Sequence, residues 1–278
     1  MRCTTQSYFE LSDFNQAPPQ PSAFNYRELI DGRPVQQMSL ASESALAISY
    51  NGISQAVMMV TPGHLEDFVK GFSLSTGIVH DFKEIKDIEV GGDHESHYAE
   101  VEISNRAFWA LKTQRRNLAG TTGCGICGVE ALEQALPDLA PLTPSLPPRS
   151  DVFEGLRDKV ALHQEAARES GALHAALFAD LQGNIKLCRE DIGRHNALDK
   201  LIGALANNHI EPQSGFAIMT SRCSLELIHK AVRARIPPTL VCLSAPTALT
   251  VEWARRNHLN LIHFPKHGSP RLYSPPAP

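Results

Sequence analysis

Apolar residues recur along this chain in two rhythms, one suited to strands and one to helices. Ala45–Tyr50 and Ile53–Val60 are apolar-rich runs separated by Asn51-Gly52. That dipeptide accepts the positive φ angles of a tight hairpin, so a strand, a turn and a strand are expected. Next, Thr61-Pro62 offers an N-cap and a first-turn proline, and Leu65, Phe68, Val69 and Phe72 fall at helical spacing. The expectation is a helix opened by Thr61 and closed by Gly77. Strands are expected over about 85–90 and 98–103, the second with Ala99, Val101 and Ile103 on one face, then a helix from about Arg106.

Prolines 137, 141, 144, 147 and 148 mark the clearest linker. Beyond it, Asp151 and Glu154 have the spacing of a capping box, predicting a helix to about Glu169. Ala172–Ala179 and Ile185–Cys188 flank the turn Asp180–Gly183 as an antiparallel pair. The pattern then alternates: helix Asn196–Ala206, strand Phe216–Thr220, helix Leu225–Ala234, strand Thr239–Leu243, helix Thr247–His258, strand Leu259–Phe264. Such alternation predicts an α/β fold whose sheet is covered by helices and largely parallel at its end. The chain divides into a flexible N-terminal arm (1–34), a smaller α+β domain (35–136), a proline-rich linker (137–150) and an α/β domain (151–278).

Composition narrows the function. A formal net charge of -4 over 278 residues argues against general nucleic-acid or membrane-surface binding. No apolar run reaches the ~18 residues of a membrane span, and the polar, proline-studded N-terminus lacks the apolar core of a secretory signal. Six scattered cysteines make no disulfide framework, which points to a reducing compartment, the cytoplasm. Cys223 and Cys242 lie in apolar runs and read as core residues, and Cys3 sits in the tail.

The remaining pair carries chemistry. Gly120-Thr121-Thr122-Gly123-Cys124-Gly125-Ile126-Cys127-Gly128 is too glycine-rich for a helix or strand interior, and the helical run Val129–Leu136 follows it. Thiols just before a helix N-terminus gain thiolate character, and Lys112, Arg115 and Arg116 add positive charge upstream. A redox or sulfur-carrying thiol is favoured over a structural one. Zinc normally takes four protein ligands when structural, and no second Cys-x-x-Cys or His-x3-His accompanies this one. A cofactor-binding chaperone with a zinc stapled at a dimer interface, and a thiol–disulfide oxidoreductase, are the alternatives.

A second candidate site runs along the ends of the expected strands. Arg194 and His195 in Arg189–Lys200, Ser221 and Arg222 in Thr220–Ser224, and Ser244–Thr247 each bridge a strand and a helix start. Open α/β sheets place ligands at such an edge, and helix N-termini attract anions. The last strand ends in Phe264-Pro265-Lys266-His267-Gly268-Ser269, a basic turn suited to phosphate. These features favour a phosphorylated ligand.

Taken together, Asn51-Gly52 with its strands, Gly71-Phe72-Ser73-Leu74-Ser75, Thr122–Gly128 and Glu190–Lys200 resemble the formate dehydrogenase accessory sulfurtransferase family, over about residues 40–273. The resemblance implies a cytidine-deaminase-like three-layer α/β domain and a homodimer. It also implies a sulfurtransferase that takes persulfide sulfur from a cysteine desulfurase. The sulfur then passes to the molybdenum bis(molybdopterin guanine dinucleotide) cofactor that formate dehydrogenase needs, with no permanent cofactor or metal of the carrier's own. Cys124 matches the persulfide-bearing cysteine and Cys127 the second thiol. Phe264–Ser269 matches the cofactor-binding turn, but of the pattern Phe-Cys-Lys-Pro-Gly-Arg only Phe264 and Lys266 stand in place, with Gly268 shifted and Arg271 left to replace the arginine. Deamination is not expected: His64-Leu65-Glu66 lies ~60 residues from Cys124, and no proline precedes that cysteine.

Overall fold

A computed structural model describes residues 22–29, 33–93, 95–120 and 136–274, with backbone alone for 22 and 114–120. The chain is a mixed α/β structure with three sheets among the described residues. Strands β1 (Ser22–Tyr26) and β2 (Gln36–Leu40) pair antiparallel on the surface, so part of the expected arm is a strand.

The second sheet holds β3 (Ser44–Tyr50), β4 (Ile53–Val60), β5 (Ile85–Gly92) and β6 (Ser96–Ile103) in the order β4-β3-β6-β5. The β3–β4 turn has Asn51 at φ 47° and Gly52 at φ 77°, the pair of left-handed residues its sequence predicts. The Asn51 side chain also accepts from Ile103 N (2.7 Å) and donates to Ile103 O (3.2 Å), which fastens the turn to the end of β6.

Helix α1 (Leu65–Ser75) follows, starting later than expected. Thr61 is not its cap. The hydroxyl of Thr61 accepts from Ile192 N at 3.0 Å, and its own N–H donates to Asp191 Oδ2 at 3.0 Å. The chain reverses through Gly63 and His64, both at positive φ, before the helix can begin. Helix α2 (Asn105–Gly120) follows β6. The first 21 residues and residues 121–135 lie outside the described residues; the latter hold both thiols and all but the last residue of the helix expected over Val129–Leu136, while Gly120 closes α2.

The third sheet has six strands. They are β7 (His174–Asp180), β8 (Ile185–Asp191), β9 (Gly215–Arg222), β10 (Thr239–Ser244), β11 (Asn260–His263) and β12 (Arg271–Ser274), ordered β12-β11-β10-β9-β7-β8. Strands β9, β10 and β11 are parallel, while β7 is antiparallel to both its neighbours. Helices α5 (Arg194–Asn207), α6 (Leu225–Arg233) and α7 (Ala248–Arg256) connect the strands from β8 to β11. The helix expected over 151–169 is broken. Gly155 at φ 65° separates a 3-10 turn (Ser150–Phe153) from α3 (Leu156–His163), and α4 (Glu165–Ser170) stands apart. Asp151 forms an ion pair with Arg149 at 3.2 Å instead of a capping box.

Both faces of the six-stranded sheet are buried, which explains its continuous apolar runs. One face packs Phe178, Met219, Leu240 and Leu261 against Leu198, Leu227 and Trp253, in a core continuous with Leu46, Ile48 and Phe68 near the second sheet. The other packs Leu177, Ile218, Val241 and Ile262 against Phe153, Leu156 and Val160. Helices α1 and α5 cross backbone to backbone. A Cβ on Gly71 would lie 1.9 Å from Asp199 O, and one on Gly203 1.9 Å from Asp67 O. The proline-rich stretch is tied down at Leu142, whose N–H donates to Asn257 O (3.0 Å), and at Ser145, whose carbonyl accepts from Asn260 Nδ2 (3.0 Å).

Candidate functional site

Strand direction decides where the predicted residues meet. Asp191 at the end of β8 pairs with His174, Arg222 at the end of β9 with Ser244, and Cys242 with His263. The C-terminal ends of β8, β9, β10 and β11 therefore share one edge, as the sequence predicts. At ~4.8 Å per strand, the four spacings from β8 to β11 make this edge about 19 Å long. The ten predicted binding residues line it without forming one cluster.

At one end stands a buried polar hub. Asp191 is fully buried with Lys200, at 2.8 Å. The Asp191 carboxylate also accepts from Thr61 N (3.0 Å), Gly193 N (2.9 Å) and Asn196 Nδ2 (2.9 Å). Lys200 donates to Thr61 O (2.7 Å) and Asn196 to Met59 O (2.9 Å), so the hub joins β4 to the β8–α5 junction. Burial pushes the Lys200 pKa down against the pull of Asp191. Glu190 accepts from the N–H groups of Ala166 and Ala167 (2.9 and 2.8 Å) at the start of α4. Asp199 pairs with Lys230 (2.7 Å) and accepts from Ser75 Oγ (2.6 Å). Much of the polar stretch 189–200 is thus scaffold, with the partners of its charges on other elements.

The remainder of that stretch faces the edge. Arg194 and His195 are half-buried in the first turn of α5, which has neither a side-chain cap nor an acidic residue. His195 Nε2 lies 2.7 Å from Glu226 Oε2 and 3.2 Å from Ser224 Oγ, so it bridges the N-termini of α5 and α6. Burial lowers the His195 pKa, and Glu226 opposes that shift. Arg194, at the positive end of an uncapped helix, favours an anion there, while His195 already faces the Glu226 carboxylate. Ser221 is buried with its hydroxyl on Arg222 O (3.1 Å), whereas the Arg222 side chain is exposed.

The turn after β11 forms the other end. Phe264 donates its N–H to Cys242 O at 2.8 Å, and its ring meets Phe153 edge-on at 5.6 Å. Pro265 is half-buried, and Lys266, His267, Gly268 and Ser269 are exposed. Arg271 starts β12, paired with His263, with its side chain in solvent. A pocket of about 400 Å³, lined by Pro147, Phe153, Glu154, Ser269 and Leu272, opens beside the turn. A groove of about 840 Å³, lined by Lys70, Phe82, Ile85, Leu205 and Ile210, lies away from this edge.

Cys124 and Cys127 lie outside the described residues. Cys223 and Cys242 are buried, as expected of core thiols, and burial together with a Cys223 hydrogen bond raises the Cys242 pKa. No group of three metal-ligating side chains is found among the described residues. Sequence reasoning missed Glu226 and Arg157. Each sits within a helix away from any motif, where a charged residue reads as a solvated one.

The structure is an α/β chain whose parallel strand ends share one edge, and its sequence carries a glycine-rich dithiol loop. The comparisons narrow this: a sequence model of the FdhD/NarQ family matches residues 41–277, and the chain belongs to that family. The "Sulfur carrier protein FdhD" of Xanthomonas euvesicatoria pv. vesicatoria is 46% identical over 242 residues, covering 87% of this chain and 85% of the relative. The protein of the same name from Bordetella bronchiseptica is 42% identical over 245 residues, covering 87% of each. A crystal structure from Desulfotalea psychrophila, of a protein assigned as a formate dehydrogenase accessory protein, superposes with a TM-score of 0.70 at 20% identity. It covers 94% of this chain and 98% of that one, and attests the fold.

Proposed function

We propose that this chain is a sulfur carrier: a sulfurtransferase that holds persulfide sulfur on Cys124 and delivers it to a guanine-dinucleotide form of the molybdenum cofactor, for a formate dehydrogenase. The observation that carries the reading is identity of 42–46% across most of the chain to relatives named sulfur carrier protein FdhD, joined to the Cys-x-x-Cys loop of this sequence. The donor is a cysteine desulfurase. In loading, the Cys124 thiolate attacks the terminal sulfur of the donor's persulfide; one S–S bond forms, one breaks, and the donor leaves as a thiolate. In delivery, a thiolate attacks the Cys124 sulfur, for which Cys127 is three residues away in the chain; a Cys124–Cys127 disulfide forms, the persulfide S–S bond breaks, and the outer sulfur leaves as sulfide to the acceptor.

The acceptor's guanosine phosphates rest along the strand-end edge, between Arg194 and His195 at one end and Lys266 to Ser269 at the other. Ser221, Arg222, Phe264 and Pro265 complete that surface. The uncapped, base-bearing start of α5 and the exposed basic turn support it. The antiparallel β7 among parallel β9, β10 and β11 supports a cytidine-deaminase-like reading of the α/β part, with the first domain and the linker ending at residues 136 and 150. We place the carrier in the cytoplasm as a homodimer. The test is intact mass after incubation with a cysteine desulfurase and cysteine. A reducible gain of one sulfur, lost in Cys124→Ala, is expected; an equal gain in Cys124→Ala would end the assignment.

A further inference from the structure

The basic turn is held by one side chain that no sequence motif marks. Arg157 lies in the first turn of α3, on the sheet face opposite α5, α6 and α7. Its Nε donates to Pro265 O at 3.1 Å, and its Nη2 to Leu243 O at 3.1 Å and to Phe264 O. The guanidinium also stacks over the Phe264 ring, 5.1 Å from its centroid. One planar group therefore ties the end of β10 to the first two residues of the turn after β11. Among the described residues no carboxylate lies within ion-pair distance of it, so its charge remains to act on the turn's surroundings.

That commitment has a physical reading. A guanidinium offers five N–H donors in a fixed fork, and carbonyls from two strand ends meet that fork only when those ends keep one spacing. The turn beyond Pro265 is exposed, and the Arg157 contacts join the Phe264 N–H bond to Cys242 O and the Phe264–Phe153 ring contact in fixing its base. We infer that Arg157 is a positioning residue of the ligand edge: it holds Phe264 and Pro265 so that Lys266 to Ser269 face a phosphate group. The inference rests on the proposed guanine-dinucleotide surface. Arg157 acts through the turn and touches no ligand atom.

The test uses the full-length protein, guanosine diphosphate as probe, and the variants Arg157→Lys, Arg157→Ala, Lys266→Ala and the double variant Arg157→Ala/Lys266→Ala. Lysine keeps the charge and loses the fork, so it separates field from geometry. Without ligand, exchange of the Phe264 amide, the hydrogen-bonded N–H of the turn, should quicken in Arg157→Ala and Arg157→Lys, while β9 and β10 keep their protection. Affinity for guanosine diphosphate should fall roughly ten- to a hundredfold in both, the size of effect that displaced binding groups produce. In the Lys266→Ala background the Arg157→Ala loss should shrink sharply, because two residues that act through one contact are not additive. Unchanged exchange of the Phe264 amide overturns the inference whatever the ligand does. So does full affinity in Arg157→Lys, or a loss that simply adds to that of Lys266→Ala. Failure of the unaltered protein to bind guanosine diphosphate overturns the proposed surface first, and the inference with it.

Discussion

Replacing Asp191 with alanine tests whether the hub at the β8–α5 junction is the joint between the two larger sheets. The carboxylate holds Lys200 at 2.8 Å and accepts from Thr61 N, Gly193 N and Asn196 Nδ2 at 2.9–3.0 Å, with both charged side chains essentially inaccessible to water. Removing one partner of a buried ion pair typically costs about 3–5 kcal/mol. An independent bound agrees: Lys200 can escape an unpaired charge by shedding its proton, and from an ordinary lysine pKa of about 10.4 to pH 7 that costs about 5 kcal/mol. Burial already pushes the Lys200 pKa that way. At roughly 2–4 °C per kcal/mol for a chain near this size, Asp191→Ala should lower Tm by about 6–20 °C. Asp191→Ala/Lys200→Met should recover part of the loss, since the stranded ammonium is gone and what remains is the unsatisfied N–H groups at about 1–3 kcal/mol. Thermal unfolding followed by circular dichroism reads both. A single variant within about 1 kcal/mol of the unaltered protein, or a double variant as unstable as the sum of its parts, would refute the hub.

Two further outcomes follow from the packing. Gly203→Ala drives a Cβ to within 1.9 Å of Asp67 O; the helices must part, a loss of about 1–3 kcal/mol or more, and an unchanged Tm would show that the crossing is looser than described. His229 is 7% exposed, edge-on to Trp253 at 4.7 Å, and burial holds its pKa at about 4 against an ordinary 6.5. The unfolded chain takes up that proton first as pH falls, so stability should decline from about pH 6.5 towards 4, by at most about 3 kcal/mol from this ring. His64, also held at about 4, adds to the slope. His229→Phe should flatten the fall in Tm between pH 7 and 4.5, and an identical slope in both proteins would exclude the ring as its source.

The sequence was most readable where one local rule decided the structure. Asn51-Gly52 made its hairpin because the turn needs two positive φ angles in succession. The alternation after residue 194 gave the parallel strands and the common edge of their C-terminal ends, because a helix between parallel strands leaves little other arrangement. Reading failed where a distant partner outbid the local signal. Thr61-Pro62 carries two helix-start signals, yet Thr61 bonds to Asp191 and Ile192, more than a hundred residues away, and the helix starts at Leu65. Strand β1 was hidden in a polar segment whose pairing with β2 no periodicity announces.

The stretch Glu190–Lys200 shows most clearly what a motif can conceal. Its density of charge reads as a binding loop, yet the side chains divide by direction. Glu190, Asp191, Asn196, Asp199 and Lys200 point inward to α4, β4, α1 and α6, and Arg194 and His195 are left at the edge. The inward group fixes the backbone from which the outward pair projects, so one short segment both joins the sheets and positions the start of α5. It follows that loss of activity on substituting Asp191 or Lys200 is not a measure of ligand contact. Arg194 and His195 make none of the inward contacts, so they are the positions in that segment at which the proposed ligand surface is tested while the hub stands.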